Sequence, residues 1–165
     1  MWKRRILWGL CVIATMAAIF GFSSQTYDQT MKTSDVIVKP IEDTVKKDSS
    51  EFESKKEEQD YVKKLEVKID MAVRKSAHMI IFGVLALFVY MFCKSFGLSD
   101  ADAIILTLVI CAVYAGSDEL HQKFVDKRNS QFTDVCVDMF GVYVSLTITR
   151  IMSKFINSKK VKALN

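Results

Sequence analysis

Residues 79–93 read MIIFGVLALFVYMFC, fifteen positions with no Asp, Glu, Lys or Arg. Ser76, Ala77 and His78 lead into the run, so the segment covers approximately 76–93. Short apolar stretches of about 10–14 residues often form core helices and not membrane spans, so the rest of the chain has to decide. Residues 6–22 and 103–117 are equally free of charge, whereas 23–75 carries 12 acidic and 11 basic residues of a total of 42 charged ones. Averaged, 50% hydrophobic and 25% charged residues describe a soluble globular protein. The segregation does not, and it predicts a small membrane protein with one hydrophilic excursion.

Four spans follow, at approximately 6–22, 76–93, 101–117 and 135–152. The fourth carries Asp138 and Arg150 and is the least apolar. Ser99, three residues before Asp102, suits the N-cap of the third. Lys3, Arg4 and Arg5 precede the first span, and Arg150, Lys154, Lys159, Lys160 and Lys162 close the fourth. An even number of spans puts both basic ends on one side, which the positive-inside rule makes cytoplasmic. The expected fold is all-α: a four-helix transmembrane bundle in one domain over 1–165, with both termini cytoplasmic. A charged extracytoplasmic insertion, 26–73, joins the first two spans. Within it, 42–60 reads as a solvated segment. Tyr61, Val62, Leu65, Ile69, Ala72 and Val73 repeat at helical spacing, and predict an amphipathic helix on the membrane surface that runs into the second span.

Composition excludes several classes. A single Pro and six Gly exclude a collagen-like chain, and a net charge of +4 without a basic–aromatic stripe gives no footprint for nucleic acid. Cys11, Cys93, Cys111 and Cys136 lie in or beside apolar runs with no CxxC pair, which reads as free thiols. Trp2 and Trp8 read as interfacial anchors, Lys75 as a side chain that snorkels to the headgroups, and Gly141 as a place for close helix packing.

On this topology the unusual polar residues fall at one end. Ser23, Ser24 and Gln25 close the first span; Arg74 and His78 open the second; Asp118, Glu119, His121 and Gln122 end the third; Arg128 and Asp134 precede the fourth, with Asp138 one turn inside it. Arg74 and His78, Asp118 and Gln122, and Asp134 and Asp138 are each i,i+4 pairs, so each pair shares a helix face. An ionised side chain within a membrane costs about 2.5–3.5 kcal/mol on insertion scales. Asp138 should therefore face inward and have a partner, with Arg128 or Arg74 the candidates.

These blocks, Phe22-Ser23-Ser24-Gln25, Arg74-Lys75-x-x-His78, Asp118-Glu119-x-His121-Gln122 and Arg128 with Asp134, Asp138 and Gly141, resemble the VanZ-like family. These are small bacterial membrane proteins whose founding member is associated with resistance to the glycopeptide teicoplanin. Departures exist: Asp126-Lys127 stands where a Pro-Gly turn is common, and Met79 and Phe82 where Phe and Tyr are. The resemblance implies a multi-pass protein of the cell membrane with a role in the bacterial envelope; the family's reaction, if it has one, is not part of what it implies.

Three kinds of function remain open. In one, Arg74, Arg128, Gln122, Gln25, Ser24, Asp134 and Asp138 bind a lipid headgroup, a lipid-linked cell-wall precursor or a glycopeptide at the outer face. In another, the site is an enzyme's: His121, Glu119, Asp118 and His78 do acid–base work, or His78, His121 and Asp118 ligate a divalent metal. No cofactor is required by the sequence, and HExxH is absent. In the third, the polar network only fixes how the helices pack.

Overall fold

The computed structural model describes residues 2–24, 40, 55–125 and 131–162. They form four long helices and, among the described residues, no strand. Helix α1 is Trp2–Ser23, α2 is Lys55–Ser95, α3 is Asp100–Gln122 and α4 is Phe132–Lys162. All four are long and apolar enough to cross a membrane. The 22 residues of α1 rise about 33 Å, which matches the ~30 Å hydrocarbon core of a bilayer.

The bundle is greasy outside and partly polar inside. Leu10, Ile13, Ile80, Val84, Ile105, Val109, Val113, Tyr143, Ile148 and Ile151 are exposed, on all four helices. Thr15, Ser23, Thr107, Asp118, Gln122 and Asp138 are buried. In water, apolar surface on this scale would drive association; in lipid it is the solvated side. The core proper is Ile19, Phe82, Leu85, Ala86, Val89, Cys111, Ala115, Val142 and Leu146, with their neighbours. Helix α2 supplies half of it and packs against the other three, most extensively against α4.

That α2–α4 crossing depends on glycine. A Cβ on Gly141 would collide with the Met79 carbonyl oxygen, and one on Gly83 would stand 3.2 Å from the Gly141 carbonyl oxygen. The two backbones touch, as small residues permit between membrane helices.

Consecutive spans alternate in direction. At one end Arg5 of α1 donates from Nε to the Ser95 carbonyl (3.2 Å) and lies 4.6 Å over the Phe96 ring. Lys94 meets Asp100 at 2.6 Å across the α2–α3 turn. Gly97 closes that turn at φ +85°, in the left-handed region. The Ser99 hydroxyl oxygen then accepts from the Asp102 amide at 3.2 Å, as the cap pattern predicts. The opposite end gathers the C-termini of α1 and α3 with the N-terminal part of α4.

As expected, the amphipathic segment runs into the second span: the two are one unbroken helix of 41 residues, about 60 Å long. It is twice the hydrocarbon thickness, so its N-terminal part projects past the bilayer instead of lying along it. No Gly or Pro stands between Lys55 and Phe82 to end the helix. Residues 42–54 of the charged segment lie outside the described residues. The four cysteines are free, but not all buried: Cys93 and Cys111 are, Cys11 is half-buried, and Cys136 is exposed on α4.

Candidate functional site

The last turn of α1 ends on Ser23, which is fully buried. Its hydroxyl donates to Asp118 Oδ2 at 2.8 Å. Gln122, one turn further along α3, donates from Nε2 to the same oxygen at 2.8 Å and reaches Ser23 Oγ at 3.4 Å. Ser23, Asp118 and Gln122 thus form a closed hydrogen-bonded triangle between α1 and α3. It satisfies a carboxylate that is only 4% exposed.

His78, on α2, faces this triangle. Its Nδ1 lies 4.0 Å from Asp118 Oδ2 and 3.9 Å from Asp138 Oδ1 of α4. Both separations exceed hydrogen-bonding distance. The imidazole therefore stands between two buried carboxylates without bonding to either. Asp138 does face inward, as its insertion cost requires, but the ionisable group it meets is His78 and not Arg74; Arg128 lies outside the described residues.

One turn further out, Lys75 Nζ meets Asp134 Oδ1 at 2.6 Å. Lys75 is thus tied to α4, which corrects the reading of a side chain that only snorkels. Arg74, Lys75, His78, Gln122, Asp134, Val137 and Asp138 line a small cavity of about 10 Å³, room for about one water. Arg74 forms no ion pair with any described residue.

The second histidine sits apart. His121 stacks on Phe20 with ring centroids 4.5 Å apart, and its Nε2 is 3.1 Å from Ser24 Oγ. The Ser24 hydroxyl already donates its single proton to the Phe20 carbonyl, 2.7 Å away. The Ser24 hydroxyl and the imidazole thus share a short contact between the ends of α1 and α3. His121 also stands outside the one group of three donors among the described residues that converges within 4.8 Å: His78, Asp118 and Asp138.

Glu119 is buried at 8% exposure in the last turns of α3. Gln25 lies, like Arg128, outside the described residues. Ser23, which the sequence places at the end of the first span, anchors Asp118. Two further positions carry no expectation from the sequence. Val137 lines the cavity. Asp70 is fully buried, in the outer part of α2; its i,i+4 spacing to Arg74 was the signal available.

Four membrane-length helices whose polar side chains gather at one end define an integral membrane protein with a polar mouth built from all four helices. The chain belongs to the VanZ/LLP1 family, whose model matches residues 8–153. No curated protein and no solved structure matches it.

Proposed function

We propose that the polar mouth opens on the extracytoplasmic side of a bacterial cell membrane and binds the anionic headgroup of a membrane lipid or a lipid-linked cell-wall precursor. An altered response to glycopeptides such as teicoplanin would be a consequence of that binding. The observation that carries the reading is Arg74. Its guanidinium is half-buried in the cavity wall beside Lys75, with no carboxylate paired to it among the described residues. A planar fork of N–H donors left open at the level of the headgroups suits a phosphate. Gln122 and His78 line the same cavity.

The catalytic alternative draws less support, since His121 stands apart from the converging donors of His78, Asp118 and Asp138. The packing-only alternative explains the Ser23–Asp118–Gln122 triangle but not an open arginine. The test is lipid retention. Purified protein in nanodiscs of zwitterionic lipid doped with a phosphate-bearing lipid should enrich the anionic species, and Arg74→Gln should reduce the enrichment several-fold at unchanged folded yield, with Arg74→Lys intermediate. Equal enrichment in wild type and Arg74→Gln sinks the proposal.

A further inference from the structure

Among the described residues, the carboxylates of Asp118, Asp134 and Asp138 share the mouth with two permanent cations, Arg74 and Lys75, and Lys75 is taken up by Asp134. Asp134 stands one turn before Asp138 on the same face of α4. A buried charge is stable only when paired and hydrogen-bonded. Asp118 meets that condition through Ser23 and Gln122. Asp138 does not: it is 4% exposed, makes no hydrogen bond with a described residue, and stands 3.9 Å from His78 Nδ1. It lines the small cavity, and one imidazole nitrogen and one oxygen each from Asp118 and Asp138 lie within 4.8 Å of one another.

We infer that His78, Asp118 and Asp138 form a binding site for one divalent transition-metal ion, of the Zn²⁺ or Mn²⁺ type. An ion seated among the three donors would stand about 2.5 Å from each, against about 2.1 Å in formed nitrogen–oxygen sites. Each donor then moves inward by less than about half an ångström, within the play of a side chain. The donor set selects the ion class. One imidazole with two carboxylates suits zinc and manganese, whereas calcium takes six to eight oxygens. Three protein donors leave coordination positions open toward the cavity.

The site accounts for three observations together. Two buried carboxylates approach one imidazole at distances too long for hydrogen bonds and close to those of shared ligation. Asp138, whose nearest described basic group is the imidazole of His78 at 3.9 Å, gains a permanent countercharge. The excess of negative charge is offset by the ion, so an anionic headgroup is no longer repelled. That last consequence rests on the proposed lipid reading; the ion site itself does not.

The experiment is metal titration of the tag-free, full-length protein in detergent micelles and in nanodiscs. It uses calorimetry with Zn²⁺ and Mn²⁺ separately, and elemental analysis after gel filtration. About one equivalent per chain is expected. Asp138→Asn and His78→Gln should each weaken binding at least tenfold, while Asp100→Asn, at the other end of the bundle, should leave it unchanged. His78→Gln keeps a neutral polar side chain and gives the readout if Asp138→Asn fails to fold. Absence of saturable binding of either ion overturns the inference, and so does binding that both triad variants retain. Lipid enrichment is measured on the same preparations with and without ion. A protein that binds metal but enriches no anionic lipid leaves this site standing and removes the headgroup reading.

Discussion

Ser23 and Asp118 are ninety-five residues apart in sequence and joined by one 2.8 Å hydrogen bond inside the bundle. The bond locks the end of α1 to the last turns of α3. The oxygen it engages, Oδ2, is also the one that lies 4.0 Å from His78 Nδ1.

Removing that hydroxyl should be costly. Hydrogen bonds to charged groups contribute about 1.5–3 kcal/mol. Ser23→Ala should destabilise the protein by an amount in that range, read as a lowered unfolding midpoint in detergent. In Asp118→Asn the same serine should contribute less, so the double-mutant cycle between the two should show positive coupling.

The α2–α4 contact makes an ordered prediction for two glycines. Gly141→Ala drives a methyl into the Met79 carbonyl and should cost about 1–3 kcal/mol or more. Gly83→Ala meets its nearest atom at 3.2 Å and should cost less. Thermal unfolding of both variants checks the order; equal losses would mean that the helices cross less closely.

Lys75 and Asp134 approach to 2.6 Å, yet the lysine side chain is 32% exposed. An ion pair so placed contributes at most about 1 kcal/mol. Lys75→Met and Asp134→Asn, alone and together, should give a coupling energy no larger than that, and smaller still in high salt. A much larger coupling would mean that the pair is sealed from water.

Orientation is open to labelling. In a background without cysteines, single cysteines at Ser24 and Lys123 should react with a membrane-impermeant maleimide added outside intact cells. Cysteines at Phe96 and Gly97 should react only after permeabilisation. The reverse pattern would invert the protein and remove an extracytoplasmic role for its mouth.

Much of this was legible in the sequence. Charge-free runs located three of the four spans, and the fourth was legible despite Asp138 and Arg150, since nothing but lipid tolerates so much exposed apolar surface. The Ser99 cap and the close packing at Gly141 followed from local chemistry. The run of 61–73 into the second span was legible in its helical spacing, and no Gly or Pro between Lys55 and Phe82 interrupts it. What did not show was rotation about the helix axes. Spacing within a helix says that Arg74 and His78 share a face; it does not say that Lys75 meets Asp134, that His78 falls between Asp118 and Asp138, or that His121 turns toward Phe20. Such pairings are set by the Gly83–Gly141 contact and the Ser23–Asp118 bond, which join residues far apart in the chain.

Helix α2 carries Lys75 and His78 partway along a rod that starts at Lys55 and has no joint before Ser95. Torque or displacement applied to its far tip would therefore arrive at the imidazole as movement. The protruding stalk and the polar cavity are two ends of one lever.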